Sequence, residues 1–194
     1  MGDGRMKIAS TPIAGLTLVE TTPLADDRGT FARYFCAKEL SPLLGDRRIL
    51  QANHSQTHHA GTVRGLHFQY PPHAEMKFVR CLKGRVLDVV VDLRKSSATF
   101  LKYHMEELSA DNRKMLVVPE GFAHGFQALE DDCEMLYLNT AFYEKTAEGG
   151  LCPDDPALGI PWPLPVTGLS AKDRAHPLLT SAFQGLTQGG SIMT

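Results

Sequence analysis

His67 lies in the run RGLHFQ, at residues 64–69, among apolar side chains and one arginine. An imidazole titrates near about pH 6.5, so at neutral pH it can accept a proton as a general base. The neutral ring is also a common metal ligand, and a buried histidine can be a core residue that is held by a hydrogen bond. The residues around His67 therefore decide between a base, a metal ligand and a core side chain.

A second histidine favours the metal alternative. The run VVPEGFAHGF (117–126) places His124 at the spacing P-x-G-x-x-H, which resembles the second motif of the cupin superfamily of small β-barrels, where this histidine is a metal ligand. The first cupin motif has two histidines and a glutamate; here His67, Gln69 and Glu75 stand at those places. Three protein ligands can form a catalytic metal site, so a metal-dependent cupin enzyme that uses His67, Glu75 and His124 is one hypothesis. The other is that His124 is a core histidine inside a barrel.

The composition is that of an ordinary globular protein. The chain has 194 residues, 43% of them hydrophobic, and a net charge of −2. This predicts a single domain over residues 1–194, with short flexible tails at about 1–8 and 188–194. The charge gives no basic surface for nucleic acid, and no apolar run predicts a membrane span or a signal peptide. The four cysteines form no C-x-x-C pair and are expected to be free thiols, which indicates the cytoplasm.

The elements that must position these residues are predicted to be mostly strands. Short apolar runs recur at regular spacing, among them KFVRCL (77–82) and RVLDVVVDL (85–93), with Lys83-Gly84 between them as a candidate hairpin turn. AKELSPLLG (37–45) is typical of a short helix that ends at a glycine. No βαβ alternation is present. The pattern therefore predicts an all-β jelly-roll sandwich or barrel of cupin type, with a few short helices.

A more specific resemblance extends over most of the chain. The run NHSQTHHAGTVRGLHFQYPPHAEMKFVRCLKGRVLDVVVDLRKSSATF (53–100) is followed by VVPEGFAHGF, EMLYLNTAFY, CPDDPALGIPWP and LSAKD. These motifs, in this order, resemble the dTDP-4-dehydrorhamnose 3,5-epimerase family over about residues 16–180. The resemblance implies a jelly-roll subunit in a homodimer, a nucleotide diphosphate-sugar substrate, and epimerisation next to a sugar ketone with no metal and no redox cofactor.

The resemblance also implies four catalytic roles. His67 is the base, Asp173 of LSAKD is its carboxylate partner, and Tyr137 of MLYLN is the acid on the opposite face. The C3 and C5 hydrogens of a 4-keto-6-deoxy sugar are acidified by the C4 carbonyl, but a histidine alone cannot generate a free enolate. A cation near the C4 oxygen must stabilise the charge, and Lys77 suits that task. The set then has a base, an orienting group, an electrophile and an acid.

Strand alternation raises two questions about this assignment. Lys77 could simply be an outward-facing residue of an edge strand. Arg64 and His67 fall on opposite faces of a regular strand. Either Gly65 marks a bulge that brings both into one site, or Arg64 reaches the site from the end of the strand. Met135, Tyr137 and Asn139 share a face, and the asparagine indicates that this face is not dry core.

The remaining candidate positions concern the nucleotide. Arginines suit a diphosphate, and amides and hydroxyls can hydrogen-bond a base or a sugar. The resemblance gives as ligand-binding candidates Arg28, Phe31, Arg33, Gln51, Asn53, Ser55, Arg64, Gln69 and His124.

Arg33 departs from the family pattern. The family reads R-G-x-F-x-E, and this chain has Arg33 in place of the glutamate. A carboxylate can accept the N3–H of thymine, whereas an arginine can donate to N3 of cytosine. One hypothesis is therefore a CDP-linked substrate; the alternative is that Arg33 points elsewhere or contacts a phosphate. Whether C3, C5 or both are inverted is left open, and a non-catalytic sugar-binding module is a further alternative.

Overall fold

The computed structural model describes residues 5–187. Within them the strands are, in chain order, β1 (Met6–Ser10), β2 (Thr17–Thr21), β3 (Leu24–Asp26), β4 (Gly29–Phe31), β5 (Gln51–Thr57), β6 (Val63–Gln69), β7 (Lys77–Lys83), β8 (Arg85–Asp92), β9 (Tyr103–Ser109), β10 (Lys114–Val118), β11 (Phe122–Ala128), β12 (Cys133–Asn139) and β13 (Glu148–Gly150). The helices are α1 (Ser41–Leu44), α2 (Ala171–Arg174) and a 3-10 turn at Lys145–Ala147. No helix in this part of the chain is long and apolar enough to cross a membrane.

The strands form two antiparallel sheets that face each other. One has six strands in the order β1-β2-β10-β7-β12-β5, and the other has five in the order β13-β6-β11-β8-β9. β3 and β4 form a separate two-stranded hairpin. Because neighbours in each sheet come from distant parts of the chain, the fold is the jelly-roll sandwich that the pattern of short strands predicted.

Side-chain alternation fills the space between the sheets. Val79 and Met135 point inward from the six-stranded sheet, and Val86, Val90 and Phe126 point inward from the five-stranded sheet; all are at most 1% exposed. Successive residues of a strand point to opposite faces, so the apolar side chains on the outer face of each sheet must pack against other segments.

Each outer face has its own cover. Leu66, Val89 and Val91, on the outside of the five-stranded sheet, pack against apolar residues of the C-terminal segment 151–186. On the outside of the six-stranded sheet, Phe78 packs in a cluster that includes Leu44 of α1. The C-terminal segment thereby lies along the sheet that carries His67, which places α2 beside β6.

Two predictions about elements need correction. The predicted N-terminal tail to about residue 8 is too long, because β1 begins at Met6 and pairs with β2; residues 1–4 and the predicted tail 188–194 lie outside the described residues. The turn at Lys83-Gly84 is not a hairpin, because β7 and β8 belong to different sheets. Gly84 has φ +74° and lies against Cys133, so a tight turn carries the chain across the sandwich.

Candidate active site

A pocket of about 620 Å³ opens between the two sheets. It is lined by side chains from strands of both sheets and by the segment around α2. The lining residues that the sequence had proposed for a site are Gln51, Asn53, Ser55, Arg64, His67, Gln69, Lys77, His124, Tyr137 and Asp173. All four predicted catalytic residues therefore share one cavity, and six of the nine predicted ligand-binding residues share it with them.

His67 and Asp173 form a close pair on one wall. His67 points inward from β6, and its Nε2 lies 2.6 Å from Oδ1 of Asp173. Asp173 is in α2, where the hydroxyl of Ser170 accepts a hydrogen bond from its backbone N–H at the start of the helix. Burial lowers the pKa of His67 below its ordinary value, although the hydrogen bond and charge of Asp173 act in the opposite direction. A mainly neutral imidazole with one nitrogen held by a carboxylate is suited to accept a proton at the other nitrogen.

Arg64 and His67 face the same pocket because β6 is irregular between them. On the neighbouring strand β11, His124 pairs with His67 and Phe126 pairs with Arg64, so two steps along β11 match three along β6. Gly65, at φ +126°, lies in this irregularity against the backbone of Gly125. The bulge that would reconcile the two side chains is therefore present.

Lys77 is part of the pocket wall and not an outward residue of an edge strand. Its side chain is 13% exposed, and Nζ lies 3.3 Å from Glu75 and 3.4 Å from the backbone oxygen of His67. Glu75 in turn accepts a hydrogen bond of 2.6 Å from the Asn139 amide. The ammonium group thus lies beside His67, where it can stabilise negative charge on a bound molecule.

Tyr137 stands on the opposite sheet from His67. Its hydroxyl lies 3.5 Å from Ser55 Oγ, and its ring contacts His124 at 6.2 Å between centroids. Burial raises the pKa of the Tyr137 phenol far above its ordinary value, so the phenol is protonated at neutral pH. A protonated phenol facing a neutral imidazole across a pocket is an arrangement for proton transfer on two sides of a ligand.

His124 is buried behind Tyr137 and is paired with a carboxylate. Its Nε2 lies 2.9 and 3.0 Å from the two oxygens of Asp88, which is fully buried. Burial raises the pKa of Asp88, and the charge of His124 and its hydrogen bond oppose this. His124 is therefore better described as a core histidine with a hydrogen-bond partner than as a metal ligand. Asp88 lies in the apolar run RVLDVVVDL, where a carboxylate with apolar residues on both sides was a signal that could have marked it.

The predicted polar ligand residues of β5 lie along one edge of the pocket. Gln51 donates to Asn53 at 3.0 Å and accepts from the backbone of Tyr143 at 3.1 Å. Arg64 donates to Thr57 and leaves part of its guanidinium facing the pocket. Gln69 differs, because its amide is hydrogen-bonded to backbone groups of His73, Phe142 and Glu144. β5 was not predicted as a strand: its sequence QANHSQT is polar because it is an edge strand that faces a cavity.

Arg28, Phe31 and Arg33 lie outside this pocket. Arg28 and Phe31 are on the β3–β4 hairpin, where the Arg28 side chain is 85% exposed and pairs with Asp26 at 2.6 Å. The Phe31 residue is 70% exposed. Arg33 forms a salt bridge with Glu39. Within one subunit, no contact places Arg33 in this pocket, and its reading of a nucleotide base stays a prediction.

The metal site suggested by the cupin motifs is also not formed. Glu75 is bound to Asn139 and Lys77, and His124 is bound to Asp88. Among residues 5–187, the one group of three potential metal ligands with mutually close ligand atoms is a different one, made by His67, Asp173 and His176. His176 carried no motif and was missed in the sequence.

A second cluster at the pocket mouth was also missed. Glu148 of β13 lies 2.5 Å from Lys172 Nζ and accepts a hydrogen bond of 2.8 Å from the Tyr143 hydroxyl. Burial would raise the pKa of Glu148, but these two partners lower it overall. This cluster links β13 to α2 and so steadies the helix that carries Asp173. Lys172 directly precedes Asp173 in LSAKD, which was the available signal.

Comparisons with known proteins agree with this geometry. Residues 10–181 match the sequence model of the family described as dTDP-4-dehydrorhamnose 3,5-epimerase. The enzyme of that name from Salmonella typhimurium is 41% identical over 180 residues, which cover 92% of this chain and 98% of the relative. The Bacillus anthracis enzyme with TDP and PPi bound has a TM-score of 0.86 and 41% identity, covering 90% of this chain and 99% of its own. A Legionella pneumophila dTDP-6-deoxy-D-glucose-3,5-epimerase in complex with dTDP-4-keto-L-rhamnose has a TM-score of 0.87 and 36% identity, covering 96% and 100%. The chain belongs to the dTDP-4-dehydrorhamnose 3,5-epimerase family.

Proposed function

We propose that this enzyme inverts C3, C5 or both in a dTDP-linked 4-keto-6-deoxy sugar, by removing a proton next to the C4 ketone and returning one to the opposite face. The observation that carries the proposal is the position of the His67–Asp173 pair and of Tyr137 on facing walls of one pocket. A binding module would have no need of this arrangement. The relatives' names supply the sugar and the nucleotide.

His67 acts as the base through Nδ1. Since Nε2 is held by Asp173 at 2.6 Å, Nδ1 is the nitrogen that remains for the substrate. When Nδ1 takes the C–H proton, the ring becomes an imidazolium, and the Asp173 carboxylate stabilises that charge. The electron pair of the C–H bond moves into the carbonyl system, and the C4 oxygen becomes an enolate oxygen.

Lys77 stabilises the enolate, and Tyr137 completes the inversion. The ammonium group of Lys77, close to the His67 backbone, is the cation beside which the C4 oxygen is expected to sit. Tyr137 then donates its proton to carbon from the other side. Contributions of about 10²–10⁴-fold are usual for each positioned acid or base.

The nucleotide is proposed to be dTDP. The argument for cytidine rested on Arg33 alone, and in this subunit that side chain is paired with Glu39. The relatives named above are dTDP-sugar enzymes. Within the pocket, Arg64, Gln51 and Asn53 are the side chains expected to bind the nucleotide.

The protein is proposed to act as a homodimer of single-domain subunits. The predicted nucleotide residues are divided between the pocket and the β3–β4 hairpin, which presents an exposed phenylalanine, Phe31, and an exposed arginine, Arg28. Leu24 beside them is also exposed. An apolar hairpin with a cation is suited to cover a nucleotide, and in a two-fold dimer each hairpin could serve the partner's pocket.

We also propose a cytoplasmic location. The four cysteines are all free, and Cys81 and Cys133 are buried. Burial raises the pKa of Cys81 to about 12, so this thiol is unreactive. Free cysteines are typical of a reducing compartment. Immunodetection of the protein in cell fractions would test the location.

Proton exchange in D₂O tests the proposed chemistry directly. We expect the enzyme to introduce deuterium from solvent at C3, C5 or both of dTDP-4-dehydro-6-deoxyglucose, followed by NMR. H67N should slow this exchange by about 10²–10⁴-fold. H58N is the matched control, because the His58 side chain is 66% exposed and pairs with Asp132 away from the pocket. Exchange that persists in H67N would exclude His67 as the base, and its absence in the unaltered enzyme would refute the proposed reaction.

A further inference from the structure

His176 lies beside the catalytic pair. Its ring centroid is 6.0 Å from that of His67. A ring nitrogen of each histidine and a carboxylate oxygen of Asp173 all lie within 4.8 Å of one another. Nothing in the proposed epimerisation uses this second imidazole.

The His176 ring is held in place with an unused nitrogen. Its Nε2 is buried and has no hydrogen-bond partner in the described part of the chain. The same edge of the ring packs on Gly150, where any side chain would overlap it. Gly150 pairs with His67 between β13 and β6. A buried polar atom without a partner is uncommon, and it points to a ligand that supplies one.

We propose that His67, Asp173 and His176 bind a divalent transition-metal ion such as Zn²⁺, and that the bound ion inhibits the enzyme. Two imidazoles and one carboxylate are a ligand set that zinc accepts, with water in the fourth position. Bonds of about 2.0–2.2 Å place tetrahedral ligands about 3.3–3.6 Å apart. The ligand atoms of the three residues already lie within 4.8 Å of one another, and the His176 Nε2 has no hydrogen bond to give up.

The ligand types select the class of ion. Imidazole nitrogen favours zinc, cobalt, nickel and copper, whereas Mg²⁺ and Ca²⁺ prefer sites made of oxygen ligands. With two nitrogens and one carboxylate, this site is expected to bind Zn²⁺ and Co²⁺ and to leave Mg²⁺ in solution.

Inhibition follows from the loss of the base, and this part rests on the proposed function. Metal–nitrogen and metal–oxygen bonds replace the hydrogen bond between His67 Nε2 and Asp173. The ring proton that Nε2 carried moves to Nδ1, the nitrogen that otherwise accepts the substrate proton. The imidazole stays neutral, and no electron is transferred. The bound ring can no longer act as a base.

Binding is measured first, without reference to activity. Tag-free enzyme is titrated with Co²⁺, and the visible absorption of a tetrahedral cobalt site is followed and then displaced with Zn²⁺. H176N should weaken Co²⁺ binding by at least about tenfold, since even the loss of an outer-shell partner costs about 10–100-fold. H58N, which alters a surface histidine paired with Asp132 at 3.0 Å, should bind as the unaltered enzyme does. An unchanged cobalt spectrum in H176N would overturn the proposal, as would the absence of binding by the unaltered enzyme.

Inhibition is measured next. Zn²⁺ should inhibit the unaltered enzyme, Mg²⁺ should not, and H176N should keep its metal-free activity while needing at least about ten times more Zn²⁺ for the same inhibition. H176Q is measured in parallel, with thermal unfolding of both variants, so that one unstable variant does not decide the result. Equal zinc sensitivity in the stable variant would refute the site. A metal-free enzyme without activity would refute the proposed function instead, while the cobalt titration would still test the site.

Discussion

The imidazole of His67 is subject to opposing influences. Burial and the nearby charge of Lys77 lower its pKa, whereas the hydrogen bond and charge of Asp173 raise it; the net effect is a lower value. The ring is therefore neutral at neutral pH, as the proposed base must be, and the carboxylate beside it would stabilise the imidazolium once formed. Asp173 thus contributes more after the proton transfer than before it.

The pH dependence of kcat/KM should reflect this balance. The protonated, inactive form of a histidine with a lowered pKa predominates only below that pKa, so the acid limb should lie below about pH 6.5. Since Asp173 raises the pKa of His67, D173N should move the limb to still lower pH and reduce the plateau by about 10²–10⁴-fold. D132N, at an exposed carboxylate bound to His58, is the control and should leave the profile unchanged. An acid limb at the same pH in D173N as in the unaltered enzyme would contradict the role of Asp173 in raising the pKa of His67.

The roles of Tyr137 and His67 should be distinguishable by measuring proton exchange and inversion of the substrate separately. Y137F removes the acid but leaves the base, so the enzyme should still exchange substrate hydrogen for deuterium while inversion falls by about 10²–10⁴-fold. NMR of the recovered sugar in D₂O measures both quantities in one sample. S55A, which removes the hydroxyl 3.5 Å from the phenol, should have a much smaller effect. If the rates of deuterium exchange and of inversion fell by the same factor in Y137F, the tyrosine would be needed for proton removal.

Family motifs predicted the residues with proposed chemical roles better than the residues that lie next to them. RGLHF, MLYLN and LSAKD pointed to His67, Tyr137 and Asp173, and the structure brings all three to one pocket. Asp88 and His176 were missed because their significance depends on contacts across the sandwich, with His124 and with the catalytic pair. Such pairings between distant residues are not visible in the sequence around either partner.

At the scale of elements, two glycines on neighbouring strands decide what β6 presents to the pocket. Gly65 and Gly125 lie in contact where the register between β6 and β11 changes. Close backbone approach at this point lets β6 add a residue, so Arg64 and His67 point the same way. The sequence suggested a bulge at Gly65 as one alternative. The role of Gly125 could not be predicted, because the sequence does not show that β11 pairs with β6.

Gly125→Ala should therefore disturb both stability and activity. A Cβ at this position would lie 2.5 Å from the Arg64 carbonyl oxygen, and a backbone atom cannot simply rotate away. We expect a loss of about 1–3 kcal/mol in the free energy of unfolding, measured by denaturant titration. Displacement of His67 by about 1 Å should lower kcat/KM by about 10²-fold.

Gly159→Ala provides the matched comparison. The atom nearest to a new Cβ at this position would be 3.8 Å away. Only the left-handed backbone at φ +59° therefore costs energy, about 1–2 kcal/mol. Activity should be close to that of the unaltered enzyme. Similar activity losses in both glycine variants would show that the close contact at Gly125 does not position the site.

At the scale of the whole molecule, different parts of the sandwich form the hydrophobic core and the pocket. The apolar inward residues, such as Val86 and Val90, form a closed core, while the polar inward residues of β5 and β12 line the pocket. Period-two alternation in the sequence predicted the sheets but could not say which strands meet, because the strand order joins distant segments. The connection at Gly84 shows this limit: a local hairpin signal marks a crossing between sheets.

The assembly itself gives the last prediction. If each hairpin covers the partner's pocket, two variants with different defects should restore activity when their subunits are mixed. H67N disables the base, and R28A/F31A removes the exposed cation and ring of the hairpin. A mixed dimer then has one site that combines an intact base with an intact hairpin. Random exchange of subunits should give about half mixed dimers, and so about a quarter of all sites active.

The alternative arrangement predicts a different result. If the hairpin serves the pocket of its own subunit, every site in a mixed dimer retains one defect, and mixing should restore nothing. Unfolding and refolding equal amounts of the two variants together, followed by the deuterium-exchange assay, distinguishes these outcomes. Mixing without refolding is the control, because undissociated dimers cannot exchange subunits. The exposed phenylalanine on the hairpin favours recovery, since 70% exposure of Phe31 in an isolated subunit is best explained by a surface that meets another molecule.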